Sequence, residues 1–339
     1  GIIGSGKMIA VLKPDTSEEQ KDNLIEWLKA QNVDVHISKG KEYTVLGLVG
    51  NTEAIDVELL ESLSIVNSVK RVSEPFKKSN RKFHPENTLI NVGDACFGDG
   101  SCVVIAGPCS VESEEQLISL AKTVKAAGAK VLRADPFRKY FSPYENVDKL
   151  TDNIKLLSIA KKETGLPTAS EIVNPDHIER YEDVDIIEVG TRNMQNYELL
   201  RELGKINKPV ILRRGLASSL RELLMSAEHI MAGGNEQVIL CERGTRTFET
   251  YTKNTLDISA IPMLHELSHL PVIADPGSAS GKSSLVAPLS MAAVAGGADG
   301  IVIDVHEDPL KALYNGAQAL TPQQFVELTT KLNKIREVM

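Results

Sequence analysis

The amino-acid sequence predicts an α/β protein in which a small ferredoxin-like α+β domain precedes a closed (β/α)8 TIM barrel. Two observations carry this prediction: a β-α-β-β-α-β order near the amino end, and eight later apolar runs that alternate with helix-like segments. The chain has 339 residues, 42% of them hydrophobic and 25% charged, so it is long enough for a large core and a second domain.

Residues 8–73 carry the smaller domain. The runs MIAVLK, VDVHIS, YTVLGLVG and VNSVKRV are typical of strands, and SEEQKDNLIEWLKAQ is typical of an amphipathic helix. A second helix is predicted around residues 55–63, which completes the split βαβ arrangement. The polar, proline-containing stretch SEPFKKSNRKFHPENT predicts a linker at 74–87, and the barrel then takes residues 88–339.

Eight apolar, β-branched runs follow the linker: CVVIAG, KVLRA, PTASEI, DIIEVG, PVILRR, QVILCERG, PVIADP and GIVIDV. Helix-like stretches such as EEQLISLAKTVKAAG and SLRELLMSAEHIMAGG lie between them, several closed by a glycine. Buried strands that alternate with helices predict a parallel sheet, and eight repeats favour a closed barrel. An open, doubly wound sheet is the alternative.

Composition excludes some classes of partner. The net charge of −8 argues against general attraction to nucleic acid or to an anionic membrane. No apolar run approaches the roughly 20 residues that a membrane span needs. The four cysteines have no paired spacing, which predicts reduced thiols and a cytoplasmic location.

Arginines recur at the predicted carboxyl ends of the barrel strands, where barrel enzymes carry their chemistry. The strand ends in chain order present Cys109, Arg133 with Arg138, Glu171, Arg192, Arg213 with Arg214, Arg243, Asp275 and Asp304. Guanidinium groups suit the bidentate capture of carboxylate or phosphate. The sequence therefore predicts a pocket for a small polyanion. Glu171 and Asp304 could act there as bases, metal ligands or counter-ions, and Cys109 as a ligand or a small apolar filler.

Two local motifs are weaker indications of a functional site. HELSH at 265–269 matches the H-E-x-x-H zinc pattern, but LPVIADP follows at once, so these residues enter the seventh strand at the wrong rim. GSASGK at 277–282 is rich in glycine and serine, yet its spacing does not fit a P-loop.

Several longer motifs carry a family resemblance. AGPCSVES, GTRNMQN, LCERGTRTFET and NGAQALTPQQF resemble the 3-deoxy-arabino-heptulosonate 7-phosphate (DAHP) synthases of the short type, which have an amino-terminal ferredoxin-like domain. The resemblance implies a reaction at the barrel mouth that joins phosphoenolpyruvate to erythrose 4-phosphate, the entry to aromatic amino acid synthesis. It also implies a divalent metal that polarises the aldehyde.

By the resemblance, Arg133, Glu171, Arg192 and Arg243 match residues that surround phosphoenolpyruvate, and these positions are expected to bind that anion. Arg213 stands where the family's KRG motif has lysine, which keeps the charge and changes its reach.

The metal positions depart from the family. The resemblance implies Cys, His, Glu and Asp as ligands, whereas the matching residues are Cys109, Ser278, Asp304 and Asn315. Serine is a poor ligand and asparagine carries no charge, so we expect no tightly bound metal and no other cofactor.

The acceptor segment departs as well. Where the family has R-G-G-x-F-K-P-R-T-S-P, residues 133–143 read RADPFRKYFSP. Arg138 replaces the lysine beside phosphoenolpyruvate, and Tyr140 and Phe141 replace the Arg-Thr pair that holds the acceptor's phosphate. A phosphosugar aldehyde would lose its best contact in this loop.

Three functions remain open on the sequence. The leading hypothesis is a diverged homologue that binds phosphoenolpyruvate, or a related keto-acid anion, and forms a carbon–carbon bond with a non-standard partner. The alternative is the DAHP synthase reaction itself, and the third is a non-catalytic metabolite-binding protein. The resemblance further implies a homodimer or homotetramer, and an aromatic amino acid effector at His36 and Ser38.

Overall fold

A computed structural model describes residues 7–39, 43–72, 76–136 and 150–339 of the chain. The polypeptide divides between residues 75 and 76 into two compact units, which are described one at a time. Among the described residues, no helix is both long and apolar enough to cross a membrane.

The first unit is the ferredoxin-like domain. Its elements are β1 (Lys7–Leu12), α1 (Glu18–Ala30), β2 (Val33–Lys39), β3 (Thr44–Gly50), a 3-10 turn (Thr52–Ala54), α2 (Val57–Ser62) and β4 (Val66–Val72). The strands form one sheet in the order β2-β3-β1-β4, with β2 at an edge. Ser17 starts α1 with a capping box, which satisfies exposed backbone N–H groups. The predicted split βαβ arrangement is confirmed.

Residues 76–97 begin the second unit and pack against the barrel. Ser79 donates from its amide and its hydroxyl to Glu228, each at 3.0 Å, and Arg81 Nε donates to the carbonyl of His265 at 2.6 Å. The residues of the expected linker from 76 onward therefore belong to the barrel's compact unit. A hairpin follows, β5 (Ile90–Val92) and β6 (Ala95–Phe97), whose buried side chains join the apolar cluster inside the barrel.

Eight parallel strands close the barrel, so the open-sheet alternative is wrong. They are β7 (Val103–Gly107), β8 (Val131–Arg133), β9 (Thr168–Ile172), β10 (Ile186–Val189), β11 (Val210–Arg213), β12 (Val238–Glu242), β13 (Val272–Ala274) and β14 (Gly300–Asp304). Consecutive strands pair around the ring, and β14 pairs with β7. Every residue of these strands is buried, which explains their continuous apolar pattern.

Helices surround the barrel: α3 (Glu114–Ala126), α4 (Leu150–Thr164), α5 (Tyr197–Leu203), α6 (Leu220–Ala232), α7 (Ala260–Leu267), α8 (Pro276–Ser280), α9 (Ser283–Ala295) and α10 (Pro322–Glu337). A 3-10 turn, Pro175–Tyr181, lies between β9 and β10 where most units have an α-helix. Ser113, Ser219 and Thr321 each cap a helix by accepting from the backbone three residues on.

The two histidines of HELSH contact different groups. His265 Nε2 lies 3.2 Å from the carbonyl of Gly297, whereas His269 contacts Thr88 Oγ1 and the carbonyl of Lys78, each at 2.6 Å. Both ring nitrogens of His269 and the Nε2 of His265 therefore contact separate parts of the barrel unit, residues 78–88 for His269 and Gly297 for His265.

We predict that Gly98→Ala destabilises the protein more than Gly128→Ala. Both glycines have a positive φ, 96° and 101°, so each alanine carries similar backbone strain of about 1 kcal/mol. A Cβ at Gly98 would lie 2.4 Å from the carbonyl oxygen of Thr88, whereas one at Gly128 meets nothing within 4 Å. Overlap adds roughly 1–3 kcal/mol at Gly98. Equal losses in denaturant unfolding would contradict this assignment.

Candidate active site

The centre of the site is a buried carboxylate shared by two arginines. Glu188 lies within the strand Ile186–Val189 and is fully buried. Its Oε1 accepts from Arg133 Nη2 at 3.0 Å and from Arg213 Nε at 2.5 Å. Arg133 and Arg213 are each 3% exposed. Arg133 comes from β8 and Arg213 from β11, and the strand order β8-β9-β10-β11 places the Glu188 strand, β10, between them. Side chains from separate strands thus meet inside the barrel.

Arg133 contacts three carboxylates. Besides Glu188, its guanidinium lies 2.9 Å from Asp135 Oδ2 and 3.4 Å from Asp304 Oδ1. Burial alone would lower the pKa of Arg133, but the three carboxylates raise it well above the ordinary arginine value. Arg133 therefore stays charged, and most of that charge is neutralised within the protein.

Arg213 is held in turn by Asp275. Its Nη1 donates to Asp275 Oδ2 at 2.5 Å, and Ser278 donates to the same carboxylate from its hydroxyl and its amide, each at 2.8 Å. Burial alone would raise the pKa of Asp275, yet Arg213 and the Ser278 amide together hold it below the usual range. This carboxylate is ionised and fixes Arg213 against the start of α8.

Two buried guanidinium N–H groups have no hydrogen-bond partner among the described residues: Arg213 Nη2 and Arg243 Nε. Arg243 follows β12, and its Nη2 lies 3.4 Å from the carbonyl of Ser278, so it reaches the same corner of the barrel mouth. A buried donor without a partner costs about 1–3 kcal/mol, and more when charged. Such donors are typical of a site whose ligand supplies the acceptor oxygens.

Cys109 and Asp304 lie on the other side of Arg133. Asn315 Nδ2 donates to Cys109 Sγ at 3.1 Å, and Gln318 Nε2 donates to Asp304 Oδ2 at 2.6 Å. Burial raises the pKa of the Asp304 carboxyl, and the Arg133 charge opposes this rise.

The loop that carries Asn315 is tied to the barrel by one carboxylate. Glu112 accepts from the Leu313 amide at 2.8 Å and lies 3.2 Å from His306 Nε2. Asn315 itself has φ 55°, the left-handed region that asparagine tolerates. These contacts fix the loop, which aims the amide of Asn315 at Cys109.

The structure brings together most of the predicted site residues and separates others. Cys109, Arg133, Glu171, Arg213, Arg243 and Asp304 lie in or beside this cluster. Arg192 is exposed on the 3-10 turn Thr191–Asn193. Arg138, Tyr140 and Phe141 fall outside the described residues. His36 and Ser38 are exposed on the edge strand β2, two positions apart and hence on one face.

Sequence reasoning missed Glu188, Asp135 and Gln318. Glu188 had a signal, since it is the one charged residue in the apolar strand IIEV. Asp135 stands two positions after Arg133, which is spacing for the same side of an extended chain. Gln318 is buried on a 3-10 turn, and its contact with Asp304 depends on how the last loop folds back.

A closed (β/α)8 barrel with buried arginine donors at the carboxyl ends of its strands is typical of barrel enzymes that act on small anions. The sequence matches the DAHP synthetase I family over residues 77–339 and the DAHP synthase ferredoxin-like domain over residues 8–74. The chain therefore belongs to the DAHP synthase family, and the predicted resemblance is confirmed.

Individual relatives agree with this membership. A phospho-2-dehydro-3-deoxyheptonate aldolase of Thermotoga maritima is 43% identical over 333 residues, 98% of each chain. The crystal structure of a DAHP synthase from that organism superposes with a TM-score of 0.77 at 41% identity, covering 99% of this chain and 98% of the other. A 2-dehydro-3-deoxyphosphooctonate aldolase of Syntrophotalea carbinolica is 30% identical over 71% of this chain and 93% of its own. These similarities favour the family's own reaction over the leading hypothesis of a non-standard partner.

The expectation that the chain uses no metal cofactor is wrong. The chain belongs to a family that depends on a divalent metal, and its relative from Thermotoga maritima is 43% identical over nearly the whole length. The expectation relied on Ser278 and Asn315 at two family ligand positions, and it overlooked other donors. Asp135, Glu171 and Glu188 form a buried acidic cluster whose carboxylate oxygens lie within 4.8 Å of one another.

The acidic cluster fits a hard divalent cation in its donor chemistry. Carboxylate oxygens are the ligands that Mg²⁺ and Mn²⁺ prefer, and a carboxylate can accept from several partners at once. Among the described residues of the site, the buried carboxylates outnumber the guanidinium groups even when the half-buried Arg243 is included: Asp135, Glu171, Glu188, Asp275 and Asp304 face Arg133, Arg213 and Arg243. This excess of negative charge favours a bound cation.

We predict that Glu188→Gln destabilises the protein by about 3–5 kcal/mol, because Arg133 and Arg213 are then left buried with less neutralising charge. Glu202→Gln is the matched control, since Glu202 pairs with Lys205 in an exposed contact that contributes only about 0–1 kcal/mol. Urea unfolding followed by circular dichroism measures both. Similar losses in the two variants would show that the shared carboxylate is not structurally important.

Proposed function

We propose that this protein catalyses the DAHP synthase reaction, in which phosphoenolpyruvate, erythrose 4-phosphate and water give the seven-carbon sugar acid phosphate and inorganic phosphate. Membership in the family and the 43% identity over 98% of the chain support the reaction type. The proposal depends at the site on two buried donors that have no partner among the residues the structure describes, Arg213 Nη2 and Arg243 Nε.

These two donors suit phosphoenolpyruvate, which carries a carboxylate and a phosphate close together. Arg213 is immobilised by Glu188 and Asp275, so its free N–H is presented in a fixed direction. Arg243 presents its Nε from the adjacent strand β12. Fixed donors lose little entropy on binding, and charge-assisted hydrogen bonds are stronger than neutral ones. In this proposal Arg133 holds the carboxylates in place, and Arg213 and Arg243 bind the anion.

We assign the divalent metal to Asp135, Glu171 and Glu188 in this proposal, because their oxygens lie close together and are buried. When bound, the metal supplies polarisation of the acceptor's aldehyde. Glu171 is committed to the metal in this proposal, so Asp304 is the carboxylate for proton transfer, and Cys109, fixed by the Asn315 amide, lines the acceptor side of Arg133.

A second candidate is condensation of phosphoenolpyruvate with a different acceptor. The residues at the family's metal positions make hydrogen bonds within the protein: Asn315 to Cys109 at 3.1 Å and Ser278 to Asp275 at 2.8 Å. This internal bonding favours an altered acceptor side. The replacement of the family's Arg-Thr pair by Tyr140 and Phe141 points the same way.

Further parts of the proposal rest on the family. The protein is proposed to be a cytoplasmic homodimer or homotetramer, in keeping with its free cysteines, Cys96, Cys102, Cys109 and Cys241. His36 and Ser38, exposed on one face of the edge strand β2, are proposed to receive an aromatic amino acid effector.

We predict that the purified protein, supplied with Mn²⁺, releases phosphate from phosphoenolpyruvate only when erythrose 4-phosphate is present. Chelation by EDTA should abolish this activity and Mn²⁺ should restore it, because the aldehyde needs a polarising cation. A phosphate-release assay with mass spectrometry of the product measures it. Phosphate release with another aldehyde and none with erythrose 4-phosphate would favour the second candidate, and no release with any aldehyde would refute both.

We predict that Arg243→Gln weakens phosphoenolpyruvate binding by about tenfold to a hundredfold, the loss of one charge-assisted hydrogen bond of roughly 1.5–3 kcal/mol. Arg246→Gln is the control, since Arg246 is exposed three residues further along the same loop. Isothermal titration calorimetry compares the two. If the wild-type protein fails to bind millimolar phosphoenolpyruvate, the proposed anion site is wrong.

A further inference from the structure

We propose that Glu242 is a positioning residue: its carboxylate, together with Arg214, fixes the backbone on both sides of the substrate-binding Arg243. This inference rests on the proposed function, in which Arg243 binds the anion. Glu242 and Arg214 belong to a second buried ion network, separate from the one around Glu188.

The Glu242 carboxylate joins two different partners. Its Oε2 accepts from Arg214 Nη1 at 2.6 Å, and its Oε1 accepts from the amide of Gly244 at 2.6 Å. Arg243 lies between Glu242 and Gly244 in the chain. The Glu242 side chain therefore bridges the two peptide units that orient Arg243. Glu242 is fully buried, so its oxygens are shielded from bulk solvent.

Arg214 anchors this carboxylate to the neighbouring strand and its loops. Its amide donates to the carbonyl of Cys241 at 3.0 Å, its Nε donates to the carbonyl of Ser218 at 2.9 Å, and its Nη1 lies 3.1 Å from Asp257 Oδ2. Arg214 therefore ties together the end of β11, the loop that follows it, the end of β12 and the start of α7. A rigid fork with several donors is suited to this connection.

The loop after Arg243 has little space to relax. Gly244 has φ 91°, and a Cβ there would lie 2.9 Å from the Cβ of Ala279. The direction of the Gly244 N–H is set by Glu242, and α8 packs against the other side of the glycine. A change in this hydrogen bond would therefore move Arg243, whose own contact with α8 is only the long one to the Ser278 carbonyl at 3.4 Å.

The cost of burying Glu242 supports a role beyond stability. Burial raises the pKa of its carboxyl in spite of the Arg214 charge and the Gly244 amide. Buried ion pairs often add little or no stability over apolar side chains of the same volume. The ion pair of Glu242 and Arg214 lies directly beside the proposed substrate-binding residue Arg243. Its role is therefore explained by the geometry that it imposes on Arg243.

Glu242→Gln tests the proposal. The glutamine oxygen can accept from either Gly244 or Arg214. The NH2 group then faces the other donor, so one of the two hydrogen bonds is lost. We expect at least a tenfold increase in both the Kd and the KM for phosphoenolpyruvate, with kcat changed less than threefold, because positioning of Arg243 affects binding in ground and transition states alike.

Asp257→Asn is the matched control. It also removes a half-buried carboxylate from Arg214, but it leaves the hydrogen bond between Glu242 and Gly244 intact. We expect a change in Kd of less than threefold. An increase in Kd equal to that of Glu242→Gln would overturn the proposal, because it would show that any loss of charge around Arg214 is sufficient.

A double-mutant cycle shows whether Glu242 acts through Arg243. In an Arg243→Gln background, Glu242→Gln should weaken binding no further, whereas additive losses would overturn the proposal. If Glu242→Gln does not fold, Arg214→Lys replaces it: a single ammonium cannot hold Ser218, Glu242 and Asp257 together, and unchanged affinity would overturn the proposal. Failure of the wild-type protein to bind phosphoenolpyruvate is a separate result, which refutes the proposed function itself.

Discussion

The site depends on one interaction, the sharing of the Glu188 carboxylate by Arg133 and Arg213 inside a closed barrel. Two guanidinium groups can approach each other in a buried place only if a carboxylate lies between them, and Glu188 supplies it at 3.0 and 2.5 Å. The register of the parallel strands sets these positions, with Glu188 paired to Glu171 on β9. The positions of Arg133 and Arg213 are therefore fixed by the protein's own carboxylates.

Charge is distributed unevenly around this centre. Arg133 faces three carboxylates and has little charge left for a ligand, whereas one Arg213 donor has no partner within the described part of the chain. In the proposed function, anion binding is therefore directed to the β11–β12 side of the mouth, where Arg243 lies close to Arg213. The acidic side, with Asp135 and Glu171, is the part suited to a cation. Such separation of opposite charges suits a reaction between an anionic donor and a polarised aldehyde.

Two successive residues, Arg213 and Arg214, organise two different layers of the site. Adjacent side chains of a strand point to opposite faces, so Arg213 enters the barrel interior and Arg214 reaches the loops outside it. Each meets a buried glutamate, Glu188 or Glu242. The pair of Arg213 and Glu188 fixes one proposed anion donor, Arg213 itself. The pair of Arg214 and Glu242 fixes the backbone that carries the other proposed donor, Arg243.

The sequence by itself determined the fold and the donor types. Alternating apolar runs predicted all eight barrel strands, because strands buried on both faces must be apolar throughout, and the arginines at their ends predicted an anion pocket. The tertiary structure decided which charges pair. Three carboxylates surround Arg133, which the sequence did not predict, and Glu188 stood in the sequence without any mark of its two arginine partners. Pairing depends on ångström distances between residues as far apart in sequence as Arg133 and Asp304, and these distances exist only after the barrel closes.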